Sequence, residues 1–331
     1  MPELDLCFGL LMVILYGLFS LRHKNVYLAD VFFFCRTWPL LLMVSYMADG
    51  AVWDDLGTKG IFYAPGIDVL LCLLTFVILH SFKSFESILL LMMAYVGQLF
   101  MLHSCDLVSF YVCLEAQNFC FLVLCGLQPG TNIKIAVDTN IKKAVNTSNN
   151  VTYSSGSAVF SVEASIKYLV LSAFSSGVIL FWFAALYLRT GMSALFFKSA
   201  SSSVEFSAQI ESFMILLAMM FKLGAAPLHL WVVDIYGGVK RQLLMYMSTA
   251  PKLSLFGFWV SSWHQVWTSY SVALFVVFSL VLGSFGAYGQ PALRTLLAYS
   301  TISEIGILLM AIETAGFHSL FQHLGIYIVT Q

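Results

Sequence analysis

The sequence predicts an all-α polytopic membrane protein of about eleven transmembrane helices, one of them discontinuous near Pro227. Three observations carry that prediction. Of 331 residues, 60% are hydrophobic and only 10% charged, with a mean hydropathy of +0.88; a soluble domain carries about 25% charged residues. The apolar residues are gathered into runs close to the ~20 residues a helix needs to cross the hydrocarbon layer. Period-two alternation is missing, and the runs exceed the roughly ten-residue strands of a membrane barrel. A soluble globular enzyme and a disordered chain are thereby excluded. Sixteen Lys+Arg against seventeen Asp+Glu give a net charge of -1, with no basic surplus for nucleic acid. The cysteines (Cys7, Cys35, Cys72, Cys105, Cys113, Cys120 and Cys125) form no C-x-x-C pair and read as small packed hydrophobes.

The candidate spans run over 6–21, 27–47, 67–82, 87–102, 107–127, 164–188, 212–235, 242–263, 268–290, 293–312 and 316–331. Residues 1–104 hold the first four and 105–128 the fifth. Residues 129–163, rich in Thr, Asn, Ser and Lys, read as a polar loop insertion with too few large apolar groups to build a core. Residues 164–263 hold spans six to eight, and 264–331 the last three. Met1-Pro-Glu-Leu-Asp places acids where a cleavable signal peptide needs a basic n-region. With the N-terminus outside, the inner loops hold Arg22, Lys24, Lys83, Lys134, Lys142, Lys143, Lys240, Arg241 and Arg294; the outer loops hold only Lys59, Arg189 and Lys198. This asymmetry obeys the positive-inside rule, and one span more or fewer would scramble it. The sequons at Asn146 and Asn150 fall on the inner side and read as fortuitous. The last run ends at Gln331 inside an apolar stretch, which reads as a truncated or split chain.

Charges in mid-span are the informative positions. Glu115, Lys222 and Lys252 each fall near the bilayer midplane, where an ionisable side chain costs about 2.5–3.5 kcal/mol. They need partners or water. A static ion pair that pins helices accounts for one acid and one base; two lysines leave an excess base, which favours a proton relay. Glu304, near the middle of its run, is a further candidate acid. Lys167 either snorkels to the inner surface or is the first base reached from that side. Asp30 and Arg36, six apart, are off-face for one another and expected to contact neighbouring helices. Asp234 and Tyr236 read as a cap or loop anchor.

The backbone beside both lysines is unusual. In FKLGAAPLHL (221–230), Gly224 and Pro227 follow Lys222 directly; Pro227 lacks an N–H and clashes with the carbonyl of Leu223. The helix is expected to break there, leaving Lys222 in the last turn of a half-helix whose dipole favours a cation. Pro251 before Lys252 repeats the theme by freeing the carbonyl of Met247. Interrupted helices at the midplane are a recurrent ion-site device in transporters, although a proline kink also serves packing. His229, seven residues after Lys222, falls near the same face if the break is modest; it reads either as a proton shuttle or as a hydrogen-bonded packing group.

These motifs, in order, resemble the antiporter-like membrane subunits of respiratory complex I: DLVSFYVCLEAQNF (106–119), VEASIKYLVLSAFSSG (162–177), FKLGAAPLHLWVVDIYGG (221–238), APKLSLF (250–256) and LRTLLAYSTISEIGILLM (293–310). The Asp-x-Tyr ending of HLWVVDIYGG is similar to the subunit-2 branch, whose paralogues and antiporter relatives typically carry Ala-His there. The resemblance implies that Glu115 is an acid paired with Lys222, that Lys252 passes the proton onward and that His229 assists between them. It implies three extra N-terminal helices, a complete first five-helix repeat and an incomplete second one. Helices twelve to fourteen are then expected on a separate polypeptide. Glu304 departs from the family's usual Ser, Asn or His, and the 129–163 insertion is longer than usual.

The implied function is proton translocation as a subunit of NADH:ubiquinone oxidoreductase, without redox catalysis in this chain. FMN, iron–sulfur clusters and ubiquinone are expected in partner subunits, and the other membrane-arm subunits and lipids as partners. The alternatives are a cation/proton antiporter subunit and a non-pumping structural subunit. High Phe and Met content points to an organelle-encoded protein of the mitochondrial inner membrane, N-terminus toward the intermembrane space, with a bacterial plasma membrane as alternative.

Overall fold

A computed structural model of the chain describes residues 9–15, 37–38, 64–82, 84–104, 106–127, 152–191, 205–260, 269–314 and 317–330. Among them are no β-strands. The candidate spans at 6–21 and 27–47, with Asp30 and Arg36, lie almost wholly outside the described residues, as does 129–151. Residues 9–15 are helical; the helices that follow are α1 (Ala64–Leu79), α2 (Phe85–Leu102), α3 (Leu107–Gly126), α4 (Thr152–Thr190), α5 (Glu205–Leu223), α6 (Leu230–Gly238), α7 (Arg241–Phe258), α8 (Ser269–Tyr288), α9 (Leu293–Glu313) and α10 (Phe317–Thr330). Among the described residues, five helical stretches are long and apolar enough to cross a membrane: Phe85–Leu102, Leu107–Gly126, Ser161–Arg189, Ser271–Tyr288 and Leu293–Glu313.

Helix α4 differs from the sequence expectation, for it begins at Thr152, inside the segment read as polar loop. Its first turns, TYSSGSAVFSVEAS, contain no proline and continue the helical register of the apolar run behind them. At 39 residues α4 is about 58 Å long, roughly twice the hydrocarbon thickness.

Helix α7 is the centre of the bundle, packing on α1, α2, α3 and α10. Fourteen of its eighteen residues are buried, an all-round burial that only the innermost helix of a bundle shows. Phe258 at its end stacks on Phe110 of α3 with ring centroids 4.0 Å apart. Pro251 does not break α7, which runs through it from Arg241 to Phe258. The outer faces of α3, α4 and α8 carry exposed Val, Leu and Phe side chains, as surfaces facing lipid do.

Helices α8 and α9 cross through small residues, the membrane substitute for a hydrophobic drive between helices. A Cβ at Gly283 would lie 2.7 Å from the Ser303 amide nitrogen, and one at Gly306 would lie 2.5 Å from Ser279 Oγ. The first obstacle is backbone, so it cannot swing aside.

Between α5 and α6 the chain leaves the helix for residues 224–229. Gly224 adopts φ +77°, the left-handed region that glycine tolerates. Its N–H donates to Phe221 O (3.1 Å) and the Ala225 N–H to Met220 O (3.0 Å), the paired bonds of a Schellman terminus. Trp231 Nε1 adds a second donor to Phe221 O at 2.9 Å. The carbonyls of Met220 and Phe221, two of those exposed by ending a helix here, are therefore met inside the protein. A side chain at Gly224 would also collide with Val232 Cγ2.

Two outcomes follow. Gly283→Val should push α8 from α9 and cost about 1–3 kcal/mol, read as a lower thermal transition of the detergent-solubilised protein. Gly224→Ala should cost at least the ~1–2 kcal/mol of a left-handed non-glycine residue, by the same measurement; no change in either variant would contradict the geometry.

Candidate functional site

The Schellman terminus leaves Lys222 in the last turn of α5, next to the carbonyl end that favours a cation. Its Nζ donates to the carbonyl of Ser172 on α4 at 3.1 Å. On the central helix, Lys252 is 4% exposed. Its Nζ donates to Tyr327 Oη of α10 at 3.0 Å and lies 5.3 Å from the centroid of that ring. Tyr327 in turn donates to the Ser248 carbonyl at 2.8 Å. A phenol that gives its only proton to a carbonyl can accept from Lys252 but has no proton to pass on, so Tyr327 holds the ammonium in place.

Both lysines line one cavity of about 50 Å³ walled by α3 to α7, roomy enough for a few waters. Asn118, Gln117, Tyr168, Ser172 and Ser175 supply its polar wall, and Phe121, Trp231 and Met247 its apolar one. Gln117 Oε1 is buried there without a protein partner. The arrangement presents two lysines, hydroxyls and amides to a small cavity inside an apolar bundle.

Glu115 lies one turn before Asn118, which donates to its Oε1 at 3.1 Å; Tyr168 donates to Asn118 Oδ1 at 3.1 Å. Glu115 is within electrostatic reach of Lys222. The direct pairing expected from the sequence is not formed among the described residues. Asn118 holds a carboxylate oxygen on α3, and the Ser172 carbonyl holds the ammonium across the cavity.

His229 is not brought to the cavity. The interruption is a six-residue excursion rather than a modest kink, so the two-turn spacing from Lys222 loses its meaning. His229 becomes the N-cap residue of α6, 7% exposed, its ring 5.9 Å from that of Tyr299 on α9. Pro227, joined to Ala226 by a cis peptide, lies in the excursion, and Pro251 faces the cavity just before Lys252.

Glu304 of α9 meets His323 of α10, Oε2 to Nε2, at 2.6 Å, and lies within electrostatic reach of Lys252. Lys167 is bonded to Glu163 Oε1 at 2.8 Å and lies 3.6 Å from Asp234 Oδ2. Asp234 is thus held by a side chain, and Tyr236 is a buried wall of the cavity. Sequence reasoning missed Tyr327, His323, Asn118 and Tyr168. Their only signal was a polar tip on an apolar run, and nothing in a single sequence says which residue such a tip will meet.

The geometry can be set beside known proteins. A family model described as NADH:quinone oxidoreductase/Mrp antiporter, TM matches residues 151–331. Over 331 residues the chain is 51% identical to NADH-ubiquinone oxidoreductase chain 2 of Chlamydomonas reinhardtii, covering 100% of this chain and 72% of that protein. The chain 2 of Marchantia polymorpha is 30% identical over 272 residues, which are 76% of this chain and 49% of that one. Among solved structures, respiratory complex I from Thermus thermophilus with bound aureothin shares the fold with TM-score 0.77 at 22% identity, covering 99% of this chain and 68% of the matched one. The Mrp complex from Dietzia sp. DQ12-45-1b shares it with TM-score 0.71 at 17% identity, covering 98% and 61%. Identity at this level across the whole chain, with the family model over its second half, settles kinship: the chain belongs to the NADH:quinone oxidoreductase/Mrp antiporter transmembrane family.

Proposed function

We propose that this chain is a proton-translocating membrane-arm subunit of an NADH:ubiquinone oxidoreductase, with Glu115, Lys222 and Lys252 as the groups that carry and gate the proton. The names and lengths of its relatives support the assignment to that complex. The observation that carries the mechanism is that two lysines from different helices line one cavity together with Gln117, Asn118, Tyr168, Ser172 and Ser175. FMN, iron–sulfur and ubiquinone chemistry belongs to partner subunits in this reading. The protein lies in the mitochondrial inner membrane, the N-terminus on the intermembrane-space side as the inner-loop charges require. Helices α5 and α6 are the two halves of one interrupted span: the nine residues of α6 are about 13.5 Å long, half the hydrocarbon layer.

The mechanism is electrostatic. With Glu115 ionised within electrostatic reach, the Lys222 cation has a counter-charge. A conformational change in a neighbouring subunit that moves or neutralises Glu115 removes it. The two charges stand beyond ion-pair distance, so at an effective dielectric near 20 the difference is below the ~4 kcal/mol of a pair about 4 Å apart, and its sign favours release of the proton into the cavity. Lys252 receives it across the cavity, held at the wall by Tyr327. His229, against α9 and outside the cavity, serves the architecture of the helix interruption in this reading, and Glu304 balances Lys252 from the far side.

In the assembled complex in sealed vesicles, Lys222→Ala and Glu115→Gln should each lower the protons moved per electron while the complex still assembles. An unchanged ratio with normal assembly contradicts the relay and leaves a structural subunit. Sodium-dependent transport surviving in both variants points to the antiporter reading instead. Tyr327→Phe removes one hydrogen bond to a charged group, worth about 1.5–3 kcal/mol; it should depress the same ratio less than Lys252→Ala does. An effect equal to or larger than that of Lys252→Ala contradicts the holding role.

A further inference from the structure

Glu115 acts on the cavity without lining it. Its side chain is half-buried and is not part of the cavity wall, whereas Asn118 on the same helix and Tyr168 of α4 both are. These two are buried, at 7% and 6% exposure. Asn118 Nδ2 donates to Glu115 Oε1 at 3.1 Å, and Tyr168 Oη donates to Asn118 Oδ1 at 3.1 Å. One amide therefore joins the carboxylate to the phenol. The charge of Glu115 fixes the direction of both bonds: an ionised carboxylate only accepts, so the amide turns its N–H to Glu115 and its oxygen to Tyr168. The phenol then gives its single proton to Asn118 and keeps an oxygen lone pair for the cavity. Tyr168 stands one turn from Ser172 on α4, on the same face, and the Ser172 carbonyl is the acceptor of Lys222.

We propose that Asn118 is a positioning residue that transmits the charge state of Glu115 to the cavity through the hydroxyl of Tyr168. This rests on the relay proposed above and names the route by which its acid acts. When Glu115 binds a proton, its carboxyl becomes a donor. Giving that O–H to Asn118 Oδ1 turns the amide over about its terminal torsion, which is soft and roughly two-fold. Asn118 Nδ2 then donates to Tyr168 Oη, and the phenol O–H is freed toward the cavity. One proton is bound, the two hydrogen bonds of the chain re-form with the amide reversed, and no heavy-atom bond changes. Gln117 Oε1, buried in the same cavity with no partner among the described residues, is an acceptor for water that the freed hydroxyl orders. The cavity has exchanged a lone pair for a proton, which disfavours the Lys222 ammonium in the same sense as losing the Glu115 charge does. The titratable groups in electrostatic reach of Tyr168 are Glu115, Cys120 and Cys125 of α3 and Tyr236 of α6. Only the carboxylate among them is charged at neutral pH, and Lys222 of α5 is the cation that faces it.

The test measures protons moved per electron by the assembled complex in sealed vesicles. Asn118→Leu removes the amide; Tyr168→Phe keeps the Asn118–Glu115 bond and removes only the hydroxyl. Each should reproduce at least half of the fall that Glu115→Gln causes. Combined with Glu115→Gln, neither should lower the ratio further, since independent contributions would add. A wild-type ratio in Tyr168→Phe overturns the proposal, and so does a full additional fall in the double variants, which packing damage would give. Where Asn118→Leu fails to assemble, Tyr168→Phe and its double variant decide alone. Infrared difference spectra between acid and neutral pH supply a readout that packing does not move. The tyrosine C–O band that Tyr168→Phe deletes should shift as the Glu115 carboxyl band appears, and should stay still in Glu115→Gln; a band that ignores Glu115 overturns the proposal. If Glu115→Gln leaves the ratio unchanged, the relay itself fails. If it lowers the ratio while Asn118→Leu and Tyr168→Phe pump normally, only the transmission through Asn118 fails.

Discussion

The structure depends on one constraint: two lysine ammonium groups inside an apolar bundle must each be given donors' partners and water without exposure to lipid. Everything near the cavity answers it. Helix α5 ends at Leu223, which puts Lys222 in its last turn, where the dipole favours a cation, and a glycine in the left-handed region makes the stop compact. Trp231 adds a second donor to the Phe221 carbonyl. Lys252 takes a different solution, a phenol oxygen that accepts its hydrogen bond and the aromatic ring that carries it. The two solutions differ because α5 is interrupted and α7 is not.

The same constraint explains why the bundle is built around α7. A helix carrying a buried lysine must be shielded on every side, and α1, α2, α3 and α10 provide that shield. Polar pairs recur in this shell: Tyr246 donates to Gln98 Oε1 at 2.9 Å and Cys72 Sγ meets Tyr95 Oη at 2.6 Å. Outward, by contrast, α3, α4 and α8 are plain lipid-type surfaces. Acidic groups are arranged on two sides of the lysines, Glu115 toward Lys222 and Glu304 toward Lys252. Neither acid is spent on a direct ion pair with its lysine among the described residues; Asn118 and His323 hold them. An acid held near a cation but not locked to it can change that cation's stability when it moves, which a closed pair resists.

Much of this was legible in the residues, and the illegible part has a physical reason. Apolar run length located α2, α3, α8 and α9 to within a few residues, because the hydrocarbon thickness sets that length. The chemistry of Gly224 and Pro227 announced an interruption beside Lys222. Its extent was not announced: six residues of excursion carried His229 away from the lysine it was expected to serve. Pro251, equally prominent in sequence, leaves α7 continuous because a buried helix with neighbours on all sides tolerates one lost bond. The start of α4 was hidden by composition, since Ser and Thr are poor helix formers in isolation but the register of the following run extends through them. Partners such as Tyr327, 75 residues from Lys252 along the chain, follow from tertiary packing alone.

The central claim is that Lys222 and Lys252 share an aqueous space inside the bundle. It is tested most directly by a high-resolution cryo-EM map of the complex that contains this chain. Ordered waters between the two ammonium groups, bonded to Gln117, Ser175 or Asn118, are what the account requires. Side chains filling that space, or a dry gap with the lysines turned to separate surfaces, would contradict it.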